Sequence, residues 1–343
     1  GQGAEDQARR GNPVETGLMK RILVIKLSSL GDIAHALPAV RALKERTGAA
    51  IDWAVQPEYA PLLACCNDVA RTIAFPRRNF ARGFFPFLRE LRREKYDVVV
   101  DLQGLMKSAL AARLARGKRR VGPAWAREGA PRFYDAQPAK AAGPRRHAVD
   151  ELMDVVNLVA PGAATPPEPQ LAFPEAEPDV EPGPHVAFAP FSRWDTKDWP
   201  LEKFAELGKR LAAEMGCRIR IVGGRDNEAA GETLARQIGE GARNLCGKTD
   251  LPGLCALLKG MDLLVTVDSG PMHWADALGV PLVAIFGATD PARTGPYRQL
   301  AHVVAKDGLD CRPCHSRTCA RGDLACLRAL DVETVFQAAL KRL

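Results

Sequence analysis

The stretch KRILVIKLSSLGDIAHALPAVRALKE, residues 20–45, decides the fold of this chain. Residues 20–26 form an apolar, β-branched run that predicts a short strand buried on both faces. The small residues and the glycine of LSSLGD predict a tight turn. The apolar spacing over residues 33–45 then predicts an amphipathic helix, and such strand–turn–helix units are typical of α/β folds with parallel sheets.

The same alternation recurs along most of the chain. Further strands are predicted at residues 51–55, 96–101, 185–189, 218–222, 263–267 and 282–286, and helices between them, for example at 201–215 and 251–259. Eight of the 26 prolines lie between residues 161 and 184. Because proline cannot donate a ladder hydrogen bond and restricts its neighbours, this stretch predicts a semi-rigid linker.

We therefore predict two Rossmann-like α/β domains. Residues 1–18 are polar and are expected to be a tag or a disordered extension. Residues 19–160 are expected to form the N-terminal domain, 161–184 the linker and 185–343 the C-terminal domain. The last helix of the C-terminal domain is free to pack back on the N-terminal one. Ligands bind open α/β sheets beyond the carboxyl ends of the strands, so the site is expected in a cleft there.

Composition excludes several classes of protein. Hydrophobic residues make up 46% and charged residues 26% of the 343 residues, which are ordinary globular values. No apolar stretch is long enough to span a membrane, and no apolar signal-peptide core is present. Nine cysteines without a secretion signal indicate reduced thiols and a cytoplasmic location. The net charge of +7 favours an anionic partner: nucleotide phosphates, an acidic glycolipid, a membrane surface or nucleic acid.

The turn after the first predicted strand holds the first candidate site. Ser28, Ser29 and Gly31 allow the backbone to approach a ligand, and the N-terminus of the following helix favours anions, so they form a candidate phosphate loop. Asp32 is either a helix-capping carboxylate or a general base that projects into the cleft.

The segment Ser192-Arg-Trp-Asp-Thr-Lys-Asp-Trp-Pro200 follows the first strand of the second half. Thr196 or Asp198 is expected to cap the next helix. Lys197 is either a solvated lysine or a cation placed, with the helix dipole, to stabilise a diphosphate leaving group.

The segment Asp268-Ser-Gly-Pro-Met-His273 ends a strand and opens a helix. Ser269, Gly270 and the first helical amides are expected to cradle phosphate oxygens. The alternative is a capped helix with His273 buried one turn in. Upstream, Glu228 follows another predicted strand and is a candidate to orient a nucleotide.

Four cysteines lie within sixteen positions near the C-terminus: Cys311, Cys314, Cys319 and Cys326. Thiolates at such short spacings can hold a structural zinc or iron tetrahedrally. The spacing departs from two paired CxxC motifs, so reduced structural cysteines and disulfides formed on purification stay open as alternatives.

Taken together, these segments resemble the lipopolysaccharide heptosyltransferases of glycosyltransferase family 9, and most of all the members that add the first heptose. The resemblance runs over nearly the whole chain from Met19. It rests on KLSSLGDIAHALPAV, DWAVQPEYA, YDVVVDLQGLMKSALAARLA, AREGAPRFY, RRHAVDELMDV, SRWDTKDWP, VDSGPMHWADALGVP and FGATDP. It implies a GT-B fold, two Rossmann-like domains facing each other across a cleft.

The resemblance also implies a reaction: metal-independent, inverting transfer from ADP-L-glycero-β-D-manno-heptose. By this resemblance Asp32 is the base and Lys197 stabilises the departing ADP. The donor-binding residues it implies are Ser192, Thr196, Glu228, Asp268, Ser269, Gly270 and His273. No cofactor is expected for catalysis.

The implied acceptor is lipid A carrying 3-deoxy-octulosonate (Kdo), bound by the N-terminal domain at the inner-membrane surface. Candidate partners for its acidic groups are Arg77, Arg78, Lys107, Arg127 and Arg145, any of which can equally be an ordinary surface charge. The cysteine segment is more similar to that of the second heptosyltransferase, and to heptosyltransferases that modify autotransporter proteins. A heptosylated core or a protein therefore stays open as the acceptor.

Within the same class, a related glycosyltransferase that takes another ADP- or GDP-sugar as donor stays open as an alternative. Two functions of other classes also compete with this interpretation. A dinucleotide-dependent redox enzyme is disfavoured because no G-x-G-x-x-G follows the first strand. A nucleic-acid-binding module would explain the positive charge and the cysteines, but it leaves Asp32 and Lys197 without a role, so we expect no nucleic acid partner.

Overall fold

The computed structural model describes residues 19–76, 80–175 and 181–343. The chain divides into two compact units, Gly1–Ala172 and Phe173–Leu343, and the boundary lies inside the predicted linker. Each unit contains one parallel β-sheet with helices between consecutive strands, which confirms the predicted α/β class. No helix within the described ranges is both long and apolar enough to cross a membrane.

The first unit has a five-stranded sheet in the order β3-β2-β1-β4-β5. Its strands are β1 Arg21–Ile25, β2 Ala50–Val55, β3 Arg71–Ala74, β4 Tyr96–Asp101 and β5 Gly117–Val121. Its helices are α1 Leu30–Thr47, α2 Ala60–Ala64, α3 Phe80–Leu91, α4 Met106–Leu114 and α5 Ala148–Val159. Short 3₁₀ turns occupy Pro57–Tyr59 and Ala130–Phe133.

The apolar run that predicted the first strand is buried as expected. Ile22 to Ile25 are fully buried, because helices cover the sheet on both faces. A capping box formed by Ser29 and Asp32 begins α1, and Gly48 ends it in the left-handed conformation, with φ of 66°. Asp32 therefore does act as a capping carboxylate, one of the two roles predicted for it.

The second unit has a six-stranded sheet in the order β11-β10-β9-β6-β7-β8. Its strands are β6 His185–Ala189, β7 Arg218–Ile221, β8 Ala242–Asn244, β9 Leu263–Val267, β10 Leu282–Phe286 and β11 Val303–Ala305. Its helices are α6 Leu201–Met215, α7 Glu228–Ile238, α8 Leu251–Lys259, α9 Gly270–Leu278, α10 Pro291–Thr294, α11 Ala325–Arg328 and α12 Val332–Leu340. Further 3₁₀ turns occupy Arg225–Asn227 and Leu300–His302.

In both sheets the strand order reverses next to the unit's first strand, between β1 and β4 and between β6 and β9. Ligands of doubly wound sheets bind at this switch point, beyond the carboxyl ends of the strands. The motifs that hold Asp32, Lys197, Asp268 and Glu228 follow strands at or beside these two points, whereas the cysteine segment follows the edge strand β11. The last helix, α12, lies in the second unit's own apolar core, where Val335 and Phe336 pack.

Candidate functional site

Asp32 lies in the first turn of α1, directly beyond the carboxyl end of β1. Its Oδ2 accepts hydrogen bonds from the Ser29 amide at 2.9 Å and the Ser29 hydroxyl at 2.7 Å. Its Oδ1 lies 3.8 Å from Nζ of Lys26. Although it caps the helix, the carboxylate keeps 49% of its surface exposed, whereas the Lys26 side chain is 5% exposed and donates to the Leu102 carbonyl.

The pKa of Asp32 follows from these contacts. Partial burial raises it, but the Lys26 ammonium and the two Ser29 hydrogen bonds outweigh burial and lower the pKa from 3.8 to about 2. The carboxylate is therefore ionised throughout the physiological range. It is an exposed, oriented anion at the switch point of the first sheet.

The backbone amides of the candidate phosphate loop are hydrogen-bonded to other groups of the protein. The side-chain carbonyl of Gln103, in the turn after β4, accepts from the amides of Leu27 at 3.0 Å and Ser28 at 3.3 Å. The Ser29 amide is bonded to Asp32. Since these amides are occupied, the geometry argues against a phosphate cradle at Ser28 and Ser29. Gly31 is buried in the first turn of α1.

One of the predicted acceptor-binding arginines, Arg145, contacts the same ring as the lysine that pairs with Asp32. The Arg145 guanidinium lies over the Trp125 ring, 5.2 Å from its centroid, and Nζ of Lys26 lies 5.9 Å from the same centroid. Arg145 also pairs with Glu151. Trp125 thus links the arginine to the lysine that pairs with Asp32.

Two of the other predicted acceptor residues are not brought into this group. Lys107, on α4, and Arg127, in the turn after β5, are exposed. Arg77 and Arg78 lie outside the described residues.

In the second unit, Lys197 and Asp268 meet beyond the carboxyl ends of β6 and β9. Nζ of Lys197 lies 2.7 Å from Oδ2 of Asp268, and the same oxygen accepts from the Thr289 hydroxyl at 2.6 Å. The Asp268 side chain is 5% exposed and that of Lys197 is 18% exposed. We call Lys197, Asp268 and Thr289 the donor-side cluster.

The loop that carries Lys197 is shaped by its neighbours. The Ser192 hydroxyl accepts from the Trp194 amide and donates to its carbonyl, which closes a local turn. Thr196 is buried, and its hydroxyl donates to the Ser316 carbonyl at 2.6 Å. The expectation that Thr196 or Asp198 caps the next helix is therefore wrong, since Pro200 occupies the N-cap of α6 without a side-chain cap.

Ser269 and Gly270 open α9 beside the donor-side cluster. Ser269 is the N-cap in an extended conformation, without a side-chain cap bond, and Pro271 follows at the helix start. His273 is buried one turn in, with Nε2 4.0 Å from Oδ1 of Asp268. This arrangement presents the positive end of a helix dipole at the switch point of the second sheet. Glu228 is exposed at the start of α7, beyond β7.

The four C-terminal cysteines do not form a metal centre in the described part of the chain. Cys311 and Cys314 are exposed, Cys319 and Cys326 are half-buried, and all four are free thiols. Among the described residues, no group of three or more His, Cys, Asp or Glu side chains is arranged to hold a metal ion. The geometry therefore does not fit the structural zinc or iron that the spacing suggested.

Three contributors to the site were missed from sequence: Lys26, Trp125 and Thr289. Lys26 had a usable signal, because a lysine that ends a fully apolar strand must find a partner there. Thr289 lies in the FGATDP segment of the family resemblance, but no role was assigned to it. Trp125 lies in a loop whose local sequence does not distinguish it from ordinary loop residues.

Comparison with known proteins adds independent information. A family model for glycosyltransferase family 9 (heptosyltransferase) matches residues 84–325. Lipopolysaccharide heptosyltransferase 1 of Pseudomonas aeruginosa is 34% identical over 323 residues, covering 87% of this chain and 87% of that protein. Lipopolysaccharide heptosyltransferase 2 of Salmonella typhimurium is 32% identical over 309 residues, covering 83% and 87%.

Solved structures agree with this. The Escherichia coli heptosyltransferase WaaC with ADP has a TM-score of 0.76 at 26% identity and covers 94% of this chain and 100% of that one. A glycosyl transferase family 9 structure from Veillonella parvula has a TM-score of 0.82 at 22% identity, covering 96% and 98%, which supports the fold. The predicted GT-B fold is confirmed.

Proposed function

This chain belongs to glycosyltransferase family 9, the heptosyltransferases, and on that premise we propose that it transfers heptose from ADP-L-glycero-β-D-manno-heptose to the Kdo of lipid A–Kdo in the lipopolysaccharide inner core. The names of the relatives support the sugar and the pathway. The observation that carries the proposal is the half-exposed Asp32 carboxylate, held ionised at the first switch point.

In the proposed reaction Asp32 is the general base. The acceptor hydroxyl oxygen attacks the anomeric carbon from the face opposite the diphosphate, so the configuration inverts, and its proton passes to Asp32. A carboxylate with a pKa of about 2 is a weak base. It suffices if the proton moves late, after the forming C–O bond has made the hydroxyl strongly acidic.

The departing ADP takes the electron pair of the broken C–O bond onto its β-phosphate. Lys197 and the N-terminus of α9, with Ser269 and Gly270, stabilise that charge in place of a metal ion. Asp268 and Thr289 hold the lysine, and Ser192, Thr196, Glu228 and His273 complete the proposed donor site.

We assign the acceptor side to Arg145 and Trp125, with Lys107 and Arg127 as further contacts to acidic groups. Because the acceptor carries a lipid, we expect the protein to act at the cytoplasmic face of the inner membrane. We expect no nucleic acid partner. Purified protein incubated with ADP-heptose and Kdo–lipid A should yield a product heavier by one heptose. ADP release without a mass change in the lipid would refute the acceptor.

A second acceptor has a specific observation in its favour. The similarity to a heptosyltransferase 2, at 32% identity, is close to the 34% found for a heptosyltransferase 1. Offering Kdo–lipid A and its heptosylated form in one reaction decides between them, because only the true acceptor gains mass. A protein acceptor is tested in the same way with an autotransporter substrate.

A further inference from the structure

The cysteine-bearing segment packs against the loops that carry the donor-side cluster. Nε of Arg312 donates to the Gly287 carbonyl at 2.8 Å, and the His315 amide donates to the Ala288 carbonyl at 2.8 Å. The Thr196 hydroxyl donates to the Ser316 carbonyl at 2.6 Å. Residues 312–316 are thus fixed to the loop after β10, which carries Thr289, and to the loop that carries Lys197.

This attachment places Arg317 against the same aromatic ring as Lys197. The Arg317 guanidinium carbon lies 5.0 Å from the centroid of the Trp194 ring, and Nζ of Lys197 lies 4.7 Å from the same centroid. An aromatic ring attracts cations electrostatically, so one indole contacts both positive groups. Arg317 is exposed and, within the ranges that the structure describes, it forms no salt bridge.

The charge balance of the donor-side cluster indicates what Arg317 can do. Lys197 is neutralised by Asp268 at 2.7 Å, so this pair adds no net positive charge. The N-terminus of α9 contributes about half a positive charge. A diphosphate carries about two negative charges and would meet the Asp268 carboxylate as well. A further cation would strengthen diphosphate binding. Arg317 contacts the same indole as Lys197 and forms no salt bridge among the described residues.

We propose that Arg317 binds the diphosphate of the nucleotide-sugar donor, as a second cation beside Lys197, and that the cysteine-bearing segment serves to position it. The inference rests on the proposed function, since it takes a nucleoside diphosphate sugar as the ligand. Guanidinium groups bind phosphate oxygens through two parallel hydrogen bonds. The exposed guanidinium of Arg317, which contacts Trp194, has such donors available.

Arg321 supplies a matched comparison within the same segment. It is also exposed, but its guanidinium pairs with Asp323 at 2.9 Å. Replacing either arginine by alanine removes one charge and a side chain of the same size from the same segment. An effect of the segment's overall charge would therefore be the same in both variants.

Calorimetric titration with ADP and with adenosine tests the proposal. We expect Arg317→Ala to weaken ADP binding about tenfold, the loss of one charge-assisted contact, and to leave adenosine binding unchanged. Arg317→Lys should recover part of the ADP affinity, and Arg321→Ala should match the wild type. An unchanged melting temperature checks that each variant is folded.

The outcomes separate the two proposals. Wild-type protein that does not bind ADP contradicts the proposed function. Wild-type protein that binds ADP, together with an Arg317→Ala variant of the same ADP affinity, overturns the role of Arg317 alone. Equal weakening of ADP and adenosine in Arg317→Ala also overturns it, because it indicates a structural effect on the nucleoside site.

Discussion

Both units place an aspartate–lysine pair at the switch point of their sheet. The lysine is the more buried partner in the first unit and the aspartate in the second. In the first unit Lys26 is buried and Asp32 is half exposed, with 3.8 Å between their charged atoms. In the second unit Asp268 is the more buried partner and Lys197 the more exposed, at 2.7 Å. The buried partner orients the exposed one, so the first unit presents a carboxylate and the second an ammonium. These are the two charges that a metal-independent glycosyl transfer requires.

The largest effect that this comparison predicts is on Asp32. Asp32→Asn removes the base but keeps an oxygen that can accept from the Ser29 amide, so folding should be preserved. We expect kcat to fall by about 1,000-fold, within the usual range for loss of a general base, with ADP affinity unchanged. Steady-state kinetics with Kdo–lipid A measures it. Glu94→Gln, just before β4, is the control and should keep the wild-type kcat. If Asp32→Asn also kept the wild-type kcat, Asp32 would not be the base.

The second prediction tests the exposed member of the other pair. Lys197→Ala should lower kcat by about 100-fold, because the departing diphosphate loses its nearest cation. It should also destabilise the protein by about 1–3 kcal/mol, because the buried Asp268 loses its lysine partner and keeps the Thr289 hydroxyl, with Nε2 of His273 at 4.0 Å. Single-turnover kinetics and urea unfolding measure the two effects, with Lys209→Ala on the exposed side of α6 as control. A change confined to donor KM would indicate uniform binding instead of charge stabilisation in the transition state.

A smaller effect is expected on the acceptor side. Arg145→Ala should raise the KM for Kdo–lipid A by about tenfold, through loss of one charge-assisted contact, and leave the Kd for ADP unchanged. The neighbouring Arg146, which pairs with Asp154, gives a matched control. Equal effects of Arg145→Ala and Arg146→Ala would point to general surface charge and against a specific acceptor contact.

The smallest effect concerns the tuning of Asp32. Ser29→Ala removes one of the hydrogen bonds that lower the pKa of Asp32, so the pKa should rise from about 2 toward 3.8, by less than about one unit. Because the folded-state pKa is depressed, the stability that it contributes is present above pH 3.8 and is lost as the pH falls through 2. A ¹³C NMR titration of the Asp32 carboxyl measures the shift. Ser28→Ala should leave the pKa of Asp32 unchanged. A similar rise of this pKa in Ser28→Ala would contradict the conclusion that the Ser29 hydroxyl lowers it.

The strands were predictable because their signal is local. The predicted strands at 96–101, 185–189, 263–267 and 282–286 match the observed bounds, since a continuous β-branched run is buried by any α/β sheet. The role of the Ser28–Gly31 turn was less predictable. The Ser28 amide donates to Gln103, a residue 75 positions away, and the Ser29 amide donates to Asp32. The contact with Gln103 cannot be predicted from the local sequence.

The amino-acid sequence by itself determined the class of the fold, the position of each candidate motif at a strand end and the family of the chain. Those properties depend on periodicity and on short motifs, which act over a few residues. Only the tertiary structure decided which side chains pair: Asp32 with Lys26, Lys197 with Asp268, and Arg317 with Trp194. The strand order sets these pairs by bringing distant loops together, and burial then decides which charge of each pair is left exposed.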